Sequence, residues 1–142
     1  MIVRAYISGA LTGIDHLPGL KKFYEDLAEV CGKHSIKAYV PHLQTDPKNT
    51  PQLSPQDIYA IDRKQVCESN LVIAYVGFPS LGVGQEIEIA RENNIPVLLL
   101  MEVDAAVSRM ARGNTAVVAE IRFSDYEDAL RQLSLWLKDW RI

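Results

Sequence analysis

The block Leu71-Val72-Ile73-Ala74-Tyr75-Val76 constrains the fold more than any other part of the chain. It is a nearly uninterrupted apolar run rich in β-branched residues, bounded by polar residues before it and glycine after it. A strand with no polar face must be covered on both sides, which is the signature of a central strand in a parallel sheet. Strand-like blocks also occur near 2–8, 36–40, 96–101 and 116–122, alternating with helical patterns near 17–33, 55–68, 83–94 and 124–140. That alternation predicts a five-stranded parallel sheet with helices on both faces, a doubly wound α/β domain, for which 2-1-3-4-5 is the common strand order. Local signals agree. Ser54 precedes Pro55 at a helix start, and Ser124-Asp125 opens a final helix carrying Leu130, Leu133 and Leu137 on one face.

A chain of 142 residues with 48% hydrophobic and 23% charged residues suits one domain over 1–142 with its own core. No internal repeat or linker interrupts it. A net charge of −3 without a basic stripe argues against a nucleic-acid polymer as partner. A small anion held by backbone amides would leave no trace in that number. Cys31 and Cys67 fall in helical segments and lack metal-like or CxxC spacing, which points to a reducing, cytoplasmic setting and to no catalytic role for either. The amino terminus enters a strand directly, and no apolar run approaches membrane-spanning length.

In this strand order the loops after the first and third strands diverge at the switch point, where doubly wound proteins bind ligands. Both loops are rich in small residues: Ser8-Gly9-Ala10-Leu11-Thr12-Gly13 and the stretch from Gly77 to Gly84. Gly82 and Gly84 are expected to allow close backbone approach and unusual dihedrals, with the amides of a helix starting near Val83 facing the loop. The same two glycines also fit an ordinary strand-to-helix bend. Dinucleotide and Walker fingerprints are absent, as is a GxSxG elbow. The stretch 41–54, with three prolines, reads as a long loop that either covers a pocket or lies disordered on the surface.

Few side chains near this point can do chemistry. Glu86 is placed in the first turn of the helix after the third strand, where the dipole favours its ionised form, although a first-turn glutamate also serves as a simple cap. Glu88 faces away from it. Asp62 lies on the preceding helix at the edge of an apolar stripe of Ile58, Ile61 and Val66, an uncommon place for an acid unless it is paired or functional. Tyr6 stands near the end of the first strand, either as core or as a hydrogen-bond donor to a carboxylate in the crevice. His42 follows the second strand as a candidate pocket residue, whereas His16 and His34 have no metal or dyad spacing and read as surface groups. No metal or cofactor is called for.

These residues resemble a known family. Tyr6-Ile7-Ser8-Gly9, Asp62, Pro79-Ser80-Leu81-Gly82-Val83-Gly84-Gln85-Glu86, Ser108-Arg109-Met110-Ala111-Arg112-Gly113 and Asp125-Tyr126-Glu127 are similar to motifs of the nucleoside 2-deoxyribosyltransferase superfamily. Within it they resemble the 2'-deoxynucleoside 5'-phosphate N-hydrolases. The most specific element is the PSLGVGxE segment with an aspartate 24 residues before its glutamate. The resemblance implies a flavodoxin-like fold, a homodimer with shared active sites, and cleavage of the N-glycosidic bond of nucleoside monophosphates. It implies roles for Glu86 as nucleophile, Asp62 as the acid near the leaving base and Tyr6 as the phenol orienting the nucleophile. It further implies Ser80 and Gly82 in the phosphate loop, with Ser108 and Met110 reaching the site of the neighbouring subunit. Gly9, Ala10, Leu11 and Thr12 would line the substrate from the first loop, together with His42. Thr12 departs from the pattern, standing in a loop where the best-known members carry a basic residue.

The implied chemistry suits these groups, since loss of a base passes through an oxocarbenium-like state that a carboxylate stabilises while an acid protonates the departing base. Two other readings share most of the framework: a deoxyribosyltransferase exchanging bases on free deoxynucleosides, and a nucleotide-binding module without turnover. Glu86, Asp62 and Tyr6 together argue against the latter.

Overall fold

A computed structural model describes residues 1–46 and 49–140. Five strands, β1 (Val3–Ser8), β2 (Ile36–Tyr39), β3 (Leu71–Tyr75), β4 (Val97–Glu102) and β5 (Val117–Phe123), form one all-parallel sheet in the order β2-β1-β3-β4-β5. Three long helices, α1 (Leu17–Lys33), α3 (Pro55–Cys67) and α4 (Leu81–Glu92), join the first four strands, and a fourth, α6 (Tyr126–Asp139), follows β5. The predicted doubly wound order and its elements are therefore present, with boundaries displaced by a residue or two. Two short helices escaped the sequence pattern, α2 (His42–Thr45) and α5 (Arg109–Arg112). A single turn is too short for apolar periodicity to register.

All five residues of β3 are buried, because the sheet carries a separate core on each face. Ala5, Ile7, Leu71, Ile73, Leu98 and Leu100 point to α1 and α6, while Tyr6, Val72, Ala74, Val97 and Leu99 point to α3 and α4. Each large side chain buried this way contributes about 1.5–3 kcal/mol. The final helix shows the expected stripe, with Leu133 and Leu137 buried and Leu130 packed beside them. Its start is capped by Asp125, whose side chain accepts from the Asp128 amide at 2.7 Å. Ser54 and Asp57 form a reciprocal capping box at α3. No helix among the described residues is long and apolar enough to cross a membrane.

Residues 47 and 48 of the long loop expected over 41–54 lie outside the described residues. Its first part packs onto α1: the Lys21 ammonium pairs with Asp46 at 2.5 Å, and His42 Nε2 meets Glu25 at 2.7 Å. His34 is half-buried rather than a free surface group, since it bonds Ser134 at 2.9 Å and ties the end of α1 to α6.

The loop after β1 is shaped by one close approach. A Cβ on Gly9 would stand 2.2 Å from Cζ of Tyr24, a buried ring whose hydroxyl donates to the Ala10 carbonyl at 2.9 Å. Neither the ring nor the backbone has room to retreat. Gly9→Ala is expected to destabilise the protein by about 1–3 kcal/mol, measured by urea unfolding.

Candidate active site

At the carboxyl end of β1, alternation along the strand sends Tyr6 and Ser8 to the same face, towards α4. Both donate to one carboxylate. The Tyr6 hydroxyl donates to Glu86 Oε2, and the Ser8 hydroxyl donates to Glu86 Oε1 at 2.7 Å. Tyr6 and Ser8 are wholly buried, so the carboxylate is gripped by rigid donors on a strand that cannot shift. Ser8 was not among the residues singled out from sequence. Its position two residues after Tyr6 on one strand was the available signal.

The structure corrects where Glu86 sits. Helix α4 begins at Leu81, capped by Ser80 Oγ accepting from the Val83 amide at 3.3 Å, so Glu86 lies in the second turn and not the first. The helix dipole acts mainly on the first turn and does not hold this group ionised. Burial dominates instead and pushes Glu86 up to about 7, against the hydrogen bonds from Tyr6 and Ser8 that pull it down, with the Asp62 charge adding to the rise. Tyr6 is raised well above the ordinary phenol range by burial and the neighbouring carboxylates, so it remains a donor.

Asp62 is placed as the sequence suggested, on α3 near the apolar edge, although only Val66 of that stripe is fully buried. Its Oδ1 is buried and has no hydrogen-bond partner among the described residues. Burial raises its pKa to about 6. Two carboxyl groups thus face one site, and the Asp62 charge adds to the rise at Glu86. One is held by two donors and the other is left unsatisfied.

The glycines behave differently from expectation. Gly82 and Gly84 lie inside α4, and neither has a positive φ. A Cβ on Gly84 would meet nothing within 4 Å, and one on Gly82 only Ser80 Oγ at 3.8 Å. Neither dihedral nor packing requires them, yet each costs a helix about 1 kcal/mol relative to alanine. What they leave is an uncovered first turn, whose amides have no intrahelical acceptor.

Ser80 also lines an open groove of about 550 Å³ on the other side of α4, with Val83, Ile87, Val107, Ser108 and Met110. Tyr6, Asp62 and Glu86 do not line it. Glu88 does, and it is tied to Arg91 and to Asn114, so it faces away from Glu86 as expected. Ser108 caps α5 by accepting from the Ala111 amide at 3.4 Å. Met110 is 87% exposed and Leu81 89%.

The remaining sequence candidates divide. Gly9 and the buried Ala10 form the floor of the first loop, Leu11 packs partly on the core, and Thr12 is exposed. His42 is buried, its contacts running to Glu25 and to the Tyr24 ring on α1, and it is not brought to the Glu86 cluster by any of them. Tyr39, which the sequence reading passed over, stacks on Tyr6 with ring centroids 5.6 Å apart.

Fold and site together define a doubly wound α/β protein that gathers a strand phenol, a helix carboxylate and a second, unpaired acid at its switch point. No family model matches the chain. It is 34% identical over 128 residues, 90% of this chain and 79% of the relative, to "Putative 2'-deoxynucleoside 5'-phosphate N-hydrolase 1" of Methanosarcina mazei. The chain belongs to that family of 2'-deoxynucleoside 5'-phosphate N-hydrolases. Among solved structures it is similar to the CMP N-glycosidase BcmB of Clostridium botulinum, with a TM-score of 0.72 and 22% identity over 94% of this chain and 98% of the other. A 2-deoxyribosyltransferase of Bacillus psychrosaccharolyticus gives a TM-score of 0.65 and 13% identity over 92% and 96% of the two chains. At these identities the two structures show a shared fold.

The unsatisfied Asp62 has a consequence for stability. Its folded pKa of about 6 lies above the ordinary aspartate value of 3.8, so folding takes up a proton between those limits and the charged form is penalised above them. Asp62→Asn is therefore expected to raise the melting temperature by about 2–4 °C at pH 8. The gain should shrink as pH falls through about 6 and vanish below the ordinary aspartate range, as followed by thermal scans across pH.

Proposed function

We propose that the protein hydrolyses the N-glycosidic bond of (deoxy)nucleoside 5'-monophosphates, releasing free base and (deoxy)ribose 5-phosphate. The observation that carries this reading is the Glu86 carboxylate held by both Tyr6 and Ser8, beside an acid with an unpartnered oxygen. Family membership supports it.

Glu86 acts as the nucleophile. One of its oxygens bonds to the anomeric carbon as the bond from that carbon to the base breaks, giving a glycosyl ester. Tyr6 and Ser8 keep both oxygens oriented, so little reorganisation is needed at the moment of attack. Asp62, whose buried Oδ1 has no partner among the described residues, gives its proton to the departing base. A water then attacks the anomeric carbon, its proton passes to the Asp62 carboxylate, and Glu86 is released ionised.

The phosphate is held by Ser80 and the uncovered first turn of α4, where Leu81 and Gly82 present free amides to a negative charge. Gly9, Ala10, Leu11 and Thr12 border the ligand from the β1 loop. We further infer a homodimer in which Ser108 and Met110 of each chain reach the site of the other. The exposed Leu81 and Met110, flanking an apolar groove, are the kind of surface a second copy covers.

The deciding experiment incubates the protein with each deoxynucleoside 5'-monophosphate, and separately with free deoxynucleosides plus an added base, and follows products by chromatography. Free base from monophosphates is expected, and base exchange on unphosphorylated nucleosides would replace this reading with a transferase. Glu86→Gln should lower kcat by at least about 1,000-fold with nucleotide binding retained. Near-normal turnover would remove Glu86 from the mechanism. Ser108→Ala should weaken monophosphate binding several-fold more than nucleoside binding, measured by titration calorimetry. Equal weakening of both would exclude Ser108 as a phosphate ligand.

A further inference from the structure

Tyr39 ends β2 and is paired in register with Tyr6 on β1. Its ring stacks on the Tyr6 ring at 5.6 Å and an interplanar angle of 20°. The Tyr39 hydroxyl is buried, yet no group among the described residues accepts from it or donates to it. A buried hydroxyl left unpaired costs about 1–3 kcal/mol, so one kept beside an active site calls for an explanation. The second orphaned oxygen of this region is Asp62 Oδ1. The charges of Asp62 and Glu86 both act on Tyr39, adding to the burial that raises its pKa to about 12, so the phenol stays protonated and able to donate.

Sheet order tells which part of a ligand this hydroxyl can meet. The phosphate cradle follows β3, Glu86 sits over β1, and Tyr39 lies on β2, the strand on the far side of β1 from β3. Neighbouring strands are spaced about 4.8 Å apart, so β2 is removed from the phosphate side by roughly 10 Å. A nucleotide with phosphate at Ser80 and anomeric carbon at Glu86 projects its base towards β2 and α3. Asp62 stands there too.

We propose that the Tyr39 hydroxyl donates a hydrogen bond to the base of the bound nucleotide, next to Asp62, and thereby sets which base the site prefers. The assignment rests on the function proposed above and adds a specificity-determining residue to it. Tyr6 orients the nucleophile, and Tyr39, one strand over, reads the leaving group. A hydroxyl that donates to a base favours those with an acceptor at that position, because towards an amino group it can only accept and its own buried hydrogen is left unpaired.

The test removes one oxygen and keeps the ring. Glu86→Gln serves as the non-consuming parent, and binding of each deoxynucleoside 5'-monophosphate and of 2-deoxyribose 5-phosphate is measured with and without Tyr39→Phe by calorimetry. The expected result is a loss of about 3–10-fold in affinity for the preferred nucleotide, less for others, and no change for the sugar phosphate. In the Glu86 background left intact, Tyr39→Phe should shift the ratios of kcat/KM among bases. If nucleotide and sugar phosphate weaken together, or neither moves, the hydroxyl does not contact the base and the assignment is overturned while the hydrolase reading stands. If the parent binds no nucleotide and the unaltered enzyme cleaves none, the function itself fails and the assignment with it.

Discussion

Strands buried on both faces have nowhere to place polar atoms except at their ends. In this molecule β1 and β3 lie between two apolar cores, one under α1 and α6 and the other under α3 and α4. Beyond Arg4 near the amino end of β1, the polar side chains of these strands, Tyr6, Ser8 and Tyr75, lie towards the carboxyl edge of the sheet, where β1 turns towards α1 and β3 towards α4 in opposite directions. The position of the site follows from that constraint. Tyr6 and Ser8 are the last inward-facing residues of β1 on the α4 side, and the helix that must cover them brings Glu86 into reach.

Burial also decides the electrostatics. Glu86 accepts two hydrogen bonds that favour its charge, while desolvation and the neighbouring Asp62 oppose it. Asp62 has desolvation alone acting on it. The same low-dielectric setting therefore treats two carboxyl groups differently, holding one in a fixed geometry and leaving the other without a partner. The asymmetry that suits a nucleophile and a proton donor is one of geometry, a carboxylate fixed by two donors beside an acid with an unpartnered oxygen. Its cost is visible in the buried oxygens of Asp62 and Tyr39, which have no partner among the described residues.

Much of this was legible along the chain. The alternation of apolar blocks and helical patterns yielded the parallel sheet covered on both faces, and the helix over Leu17–Lys33 matched its predicted limits because apolar spacing and Pro18 in its first turn agree. Asp62 was legible as a candidate because an acid at an apolar edge is conspicuous, and Tyr6 and Glu86 because of their places beside the switch point. The helix start after β3 was misplaced by two residues. Glycines ordinarily argue for loop, whereas Ser80 capping and packing of Val83 and Ile87 extended α4 through Gly82 and Gly84. That small shift moved Glu86 out of the first turn and reversed the reason for its pKa.

By itself the sequence determined the layers and the cast of ionisable residues, since these follow from local periodicity and composition. Only the tertiary structure decided which partners those residues meet. Ser8 became a ligand of Glu86, His42 turned to Glu25, and Tyr39 came to rest on Tyr6 through the β1–β2 register. Hydrogen bonds, desolvation and stacking act over a few ångströms between residues far apart in the chain. Their strength is set by the distances that packing alone establishes.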